Sequence, residues 1–249
     1  MDLPELWYDL PLAVFDVETT GFSPDENQII EIGVVHFHRG ELQESFNWLI
    51  DPECEIPPEI VKLTGITQED VTGKPTFREI AADFVEVMKG RGLVAYNLAF
   101  DRSFLSVNLE RCGYQWFDDQ PSFDPLIFAR HISPQARDNK LVTVAKRYNI
   151  SLEGAHRACN DAEATGKVLY AMRDALPPVL QDLIVVQVQW EIQQRNAFRG
   201  KDKRRNSEFS SILSQESAGE ARLGPAFIHG SEADPLRAYY DSLMSMKEP

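Results

Sequence analysis

The sequence predicts an α/β fold, and three observations carry the prediction. Leu12-Ala13-Val14-Phe15 is an apolar run of strand length, followed by Asp16, Val17, Glu18 and a turn at Gly21. Ile29 to His38 is β-branched and mostly apolar, and Glu41 to Ile50 alternates, so three strands follow one another as a meander. From Pro57 onward the pattern turns helical, with recognisable caps, and is interrupted by one more short apolar strand, Leu93 to Tyr96.

Each element has a local reason. Gly21 to Asn27 is polar and carries Gly and Pro, which makes it the loop between the first two strands; Arg39-Gly40 separates the second from the third. Pro57 to Leu63 reads as a short helix, with Pro57-Pro58 in its first turn and Gly65 just past its end. A second short helix starts near Thr67. Thr76 is the expected N-cap of a helix from Phe77 to Lys89, and Glu79 completes a capping box. Asn97 leads into a helix that runs to about Arg111. Asp124 is an expected N-cap, with Pro125 at the first position of a helix reaching about His131; another covers Lys140 to Tyr148. Beyond Gly154 a helix runs from His156 to about Ala175, and Pro177-Pro178 ends it.

That proline pair is the expected domain boundary: residues 1–178 form one domain and 179–249 a mostly helical extension. In the extension Leu180, Ile184, Val188 and Ile192 make an apolar helical stripe. Arg195 to Arg205 holds six basic residues against one Asp, Ser207 to Gly230 reads as a loose linker, and Asp234 to Met246 as a closing amphipathic helix.

Composition narrows the function. The 249 residues are 43% hydrophobic, enough for an ordinary core. No apolar run approaches a membrane span, and the N-terminus lacks the pattern of a secretory signal. Three widely spaced cysteines, Cys54, Cys112 and Cys159, argue for a reducing cytoplasm and against a disulfide framework or a zinc site. The net charge is −14, and residues 1–180 hold 29 acidic against 16 basic residues. Such a body does not attract long nucleic acid through its overall field, so any nucleic acid must be gripped locally, through metal ions, backbone amides and apolar stacking, or through a partner.

Asp16 and Glu18 lie two apart in a strand and so share a face. Two acids at the end of a buried strand repel and lose hydration unless a cation neutralises them, and hard oxygen ligands suit Mg²⁺ or Mn²⁺. Taken alone, the pair fits either half of a metal site or a strand running out into solvent. Partners for the first reading lie at strand-to-helix junctions. Asp101 sits in a helical first turn after the strand Leu93 to Tyr96, where it is also a simple cap. Asp161 follows His156 by five residues, about one and a half helical turns, so both can flank one cleft.

Three segments resolve the choice. Asp16-Val-Glu-Thr-Thr-Gly21, Tyr96-Asn-Leu-Ala-Phe-Asp101 and His156-Arg-Ala-Cys-Asn-Asp161 resemble, in order and with ordinary spacing, the three motifs of the DEDDh exonuclease family, a group that includes the proofreading epsilon subunits of bacterial DNA polymerase III and the exonuclease domains of PolC polymerases. Leu63-Thr-Gly-Ile-Thr67 resembles the turn between the first two motifs. The resemblance covers about Leu12 to Leu176. It implies an RNase H-like fold: a central mixed five-stranded sheet, its second strand antiparallel, with helices on both sides.

The resemblance also implies a 3′–5′ exonuclease that releases 5′-monophosphates. Asp16, Glu18, Asp101 and Asp161 would hold two divalent metals, Mg²⁺ or Mn²⁺, and His156 would be the general base. The amides around Thr19 and Thr20 would bind the 3′ terminus, and Ile66 would press on the terminal base. The expected substrate is a nucleic acid 3′ end, with single-stranded DNA favoured over RNA. A DNA polymerase or clamp is a further expected partner, docked through the extension; otherwise the extension simply packs on the body. Glu31 and Glu163 are acidic and near the motifs, but are not expected as metal ligands, and Asn97 is expected to hold its loop.

Overall fold

The computed structural model describes residues 3–152 and 156–197. Strands β1 (Leu12–Thr19), β2 (Ile29–His38) and β3 (Glu41–Leu49) come first, then helices α1 (Pro58–Thr64), α2 (Gln68–Val71) and α3 (Phe77–Met88). Next are β4 (Gly92–Val94), α4 (Leu98–Arg111), β5 (Ser122–Phe123), α5 (Pro125–Ile132), α6 (Leu141–Arg147) and α7 (Ala158–Ala171). A helix over 180–197, here α8, follows.

The sheet has the order β3-β2-β1-β4-β5. β2 pairs antiparallel with both β1 and β3, whereas β4 runs parallel to β1 and β5 parallel to β4. This is the mixed five-stranded sheet of an RNase H-like fold. The apolar run that opens β1 is fully buried because β1 is the central strand, with neighbours on both edges and helices over its faces. Phe15, Ile32, Val34, Phe84, Phe104 and Leu105 belong to one core cluster beneath α3 and α4.

α7 lies against β1 and β2 on a sheet face. Its approach leaves no room for side chains at two glycines. A Cβ on Gly33 would fall 2.2 Å from the Cys159 nitrogen, and one on Gly166 would fall 2.4 Å from the Phe37 ring. The first turn of α7 therefore rests directly on the β2 backbone.

Local capping follows the sequence closely. Gly65 ends α1 in the left-handed region at φ 72°. Thr67 and Asp70 cap α2 reciprocally, and the Glu79 carboxylate accepts the Thr76 N–H at 2.8 Å to start α3. The limits of β4, of α7 and of the compact unit differ from expectation, β4 ending at Val94. α7 begins at Ala158, with His156 in the chain before it, and closes at Ala171, a 3₁₀ turn over Arg173–Ala175 replacing its last turn. The compact unit does not end at Pro178 but extends to Gln194, because α8 buries Leu180, Leu183 and Ile184. Its Trp190 ring stacks on His131 at 3.7 Å. Gly154, the basic segment beyond residue 197, the polar linker and the closing amphipathic helix lie outside the described residues. No helix among those residues is long and apolar enough to cross a membrane.

Candidate active site

β1 carries Asp16 and Glu18 toward its C-terminal end, where its pairing with β2 shifts register between Glu18 and Thr19. Asp101 lies in the first turn of α4, buried, and its Oδ1 accepts the Val17 N–H at 3.0 Å. That bond fastens α4 to the peptide between the two β1 acids. Asp161 lies in the first turn of α7. His156 precedes the helix in the left-handed region at φ 66°, and its N–H donates to Asp161 Oδ2 at 3.1 Å. A histidine in that region is strained unless its surroundings fix it, and here the Asp161 bond does so. The imidazole is exposed.

Glu18, His156 and Asp161 each offer a donor atom, all within 4.8 Å of one another. The remaining two acids belong to the same electrostatic cluster. Burial, and then the charges of Asp101, Glu18, Asp161 and Glu31, hold the Asp16 carboxyl well above the usual range. Burial raises Asp101 as well, against the Val17 bond that lowers it. Glu18 is pushed up to about 8 by burial and by the charges of Asp161 and Glu31. Burial raises Asp161, partly offset by its bond to the His156 amide. Four carboxyls that each disfavour ionisation together are short of positive charge.

The donor set fits divalent cations on two observations. Asp161 Oδ1 is buried with no hydrogen-bond partner among the described residues, a costly state unless a ligand takes the lone pair. The donors are hard carboxylate oxygens with one imidazole, the types that Mg²⁺ and Mn²⁺ accept.

A fifth acid, Glu31, is not one of these donors although it faces Glu18 across the β1–β2 ladder. Its oxygens are already filled. They accept Arg157 Nη2 at 2.8 Å and Nε at 3.2 Å, the Ala158 N–H at 3.0 Å and Asn47 Nδ2 at 3.0 Å. Arg157 gives α7 no side-chain cap, so Glu31 supplies a cap from β2, and its charge suits a helix N-terminus. The sequence signal was the acid inside an apolar strand: such a group must be paired if buried.

The side chains of the three residues expected at the substrate, and the Thr20 amide, have partners within the chain. The Thr20 N–H already donates to Gln28 O at 2.8 Å, and Thr20 Oγ1 accepts the Gln28 N–H at 2.9 Å. Thr19 Oγ1 donates to Gly21 O. Ile66 points inward, 2% exposed, among Ile30, Ile56, Ile60 and Val71, so it does not present itself to a base here. Apolar packing of the turn outweighs exposure, whereas Leu63, three residues earlier in the last turn of α1, is exposed. Asp124 caps α5 as expected, accepting the Leu126 N–H at 2.9 Å. It also accepts the N–H groups of Asn97 and Leu98, holding the start of α4.

This sheet gathers four acids and a histidine at one end of its central strand. The chain belongs to the exonuclease family (RNase T), which it matches over residues 13–169. Among named relatives, it is 43% identical over 162 residues to the PolC-type DNA polymerase III of Clostridium perfringens, and 38% identical over 169 residues to that of Streptococcus suis. Those stretches are 65% and 68% of this chain but only 11% and 12% of the two polymerases. The fold is shared with solved exonucleases. E. coli exonuclease I in complex with a dT13 oligonucleotide has a TM-score of 0.59 at 20% identity, over 66% of this chain and 41% of that one. Exonuclease X in complex with 5′ overhanging duplex DNA gives 0.59 at 20%, over 71% and 99%.

Proposed function

We propose that this protein removes nucleotides from the 3′ ends of single-stranded DNA, releasing 5′-monophosphates, with Asp16, Glu18, Asp101 and Asp161 holding two divalent cations and His156 as general base. The observation that carries the reading is the meeting of Glu18, His156 and Asp161 within 4.8 Å, beside the charges of Asp16 and Asp101. Bound cations supply charge neutralisation and an acidified water to this chemistry. The protein's own contribution is orientation. Val17 and Asp101 fix α4 to β1, Glu31 fixes α7 to β2, and the two helices bring their acids to one strand end. His156, exposed beside Asp161, takes a proton from the attacking water as the oxygen bonds to phosphorus and the P–O3′ bond breaks. The leaving 3′ oxygen departs with a proton from solvent.

DNA is favoured over RNA because the solved neighbours with bound nucleic acid include an exonuclease I complex with dT13. RNA trimming by the same residues is the alternative, and it differs only in tolerance of a 2′ hydroxyl. A role in proofreading, with a polymerase or clamp as partner of the segment after Gln194, fits the likeness to PolC-type polymerases. The test is release of mononucleotides from 5′-labelled DNA and RNA oligomers of one sequence, with Mg²⁺, Mn²⁺ or chelator. DNA shortened from its 3′ end with either metal, and neither substrate cut with chelator, is the expected result. Faster loss of the RNA would favour the trimming alternative.

A further inference from the structure

The family match ends at residue 169, yet α8 at 180–197 reaches the support of the site. β5 is an edge strand, and the outward-facing Ser122 C=O within it and Asp124 N–H just past it have no neighbouring strand among the described residues. Gln187 of α8, a buried amide, takes both. Its Oε1 accepts the Asp124 N–H at 2.8 Å and its Nε2 donates to Ser122 O at 3.0 Å. One side chain thus stands in for a sixth strand, and leaves neither backbone group unpaired.

The Asp124 so fixed is itself a double cap. Its Oδ1 accepts the Leu126 N–H at 2.9 Å and the Asn97 N–H at 3.0 Å, and its Oδ2 accepts the Leu98 N–H at 3.1 Å. Asn97 and Leu98 begin α4, with Asn97 in the left-handed region at φ 69°. One turn on, Asp101 accepts the Val17 N–H. A continuous line of buried hydrogen bonds and one helical turn joins α8 to Asp101.

We propose that Gln187 is a positioning residue for Asp101, acting through Asp124, and that α8 is part of the nuclease and not an appendage. The proposal rests on the reading of Asp101 as a metal-holding acid. Outer-shell partners of metal sites are worth roughly 10- to 100-fold in affinity, and Gln187 acts at one further remove.

The test is Mn²⁺ binding by the full chain, measured by calorimetry, together with KM for a single-stranded oligonucleotide. Gln187→Met conserves volume and removes both hydrogen bonds. Its Mn²⁺ affinity is expected to fall about tenfold, the low end of that range, with KM unchanged. Leu183→Ala empties a buried position on the same helix and removes neither hydrogen bond of Gln187; it should lower the melting temperature and leave Mn²⁺ affinity as in the wild type. Wild-type affinity in Gln187→Met, or an equal loss in Leu183→Ala, overturns the proposal. Asp101→Asn separates the two readings. If it binds Mn²⁺ as the wild type does, both fall; if it loses binding while Gln187→Met does not, only the role of Gln187 falls. Should Gln187→Met not fold, Gln187→Asn, its amide one methylene short, carries the same comparison.

Discussion

Glu31 Oε2 accepts the backbone N–H of Ala158 at 3.0 Å, so a β2 residue caps a helix that begins 127 positions later in the chain. With Arg157 donating to both its oxygens, Glu31 sets where α7 starts, and so where Asp161 and His156 stand.

Replacing Glu31 with Ala removes that cap and leaves the Ala158 and Asn47 donors without their acceptor. The expected cost is roughly 3 kcal/mol, near the lower end for a broken buried pair because Arg157 is half-exposed. Urea unfolding measures the loss, and exonuclease turnover should fall with it at temperatures where the variant remains folded. Wild-type turnover in the folded variant would deny Glu31 its positioning role.

Gly33 has no space for a Cβ, because the displaced atoms would be backbone atoms of α7. Gly33→Ala should cost about 1–3 kcal/mol as α7 is pushed from β2. Its melting temperature should drop and its Mn²⁺ affinity should weaken, since Asp161 moves with the helix. A variant as stable as the wild type would show that the helix shifts freely.

The acids also predict an unusual pH dependence for the metal-free protein. Glu18 rises from an ordinary 4.5 to about 8 on folding, so the folded chain holds its proton more tightly than the unfolded chain. Its contribution to stability is therefore complete below about 4.5 and declines as pH rises through about 8. Asp16, Asp101 and Asp161 shift in the same direction. In chelator, the melting temperature should be lower near pH 8.5 than near pH 6, and Mg²⁺ should raise it most at the higher pH. A metal-free protein that gains stability across that interval would contradict the cluster.

His156→Ala should slow turnover by about 10²- to 10⁴-fold, the usual worth of a general base, while Mn²⁺ affinity changes little. Single-turnover rates and calorimetry on one preparation measure both. An unchanged rate would remove His156 from the chemistry.

Much of this was legible in the sequence because it is local. The capping boxes, the Gly65 stop and the alternation of β3 are set by neighbours a few residues apart. Asp16, Glu18, Asp101, His156 and Asp161 were singled out by the resemblance of three motifs, since each alone fits a wet strand end, a helix cap or a surface histidine equally well. What was not legible is what crosses the chain. Glu31 reads as an isolated acid until Arg157 folds beside it. Asp124 reads as a cap for one helix, and nothing nearby in sequence announces the amides of Asn97 and Leu98. The proline pair at Pro177-Pro178 breaks a helix, but whether the next helix packs on the body depends on Leu183 being buried and on Gln187 finding Ser122 and Asp124. Ile66 looked outward by likeness of motif, while its apolar neighbours draw it in.

The central claim is that these acids form one metal-dependent centre acting on 3′ ends. It is tested most directly with a 5′-labelled single-stranded DNA oligomer, wild type and Asp16→Ala, in Mg²⁺ and in chelator. The account predicts a ladder of products shortened one nucleotide at a time from the 3′ end, for the wild type in Mg²⁺ alone. An intact oligomer under that condition, or an equal ladder from Asp16→Ala, would contradict it.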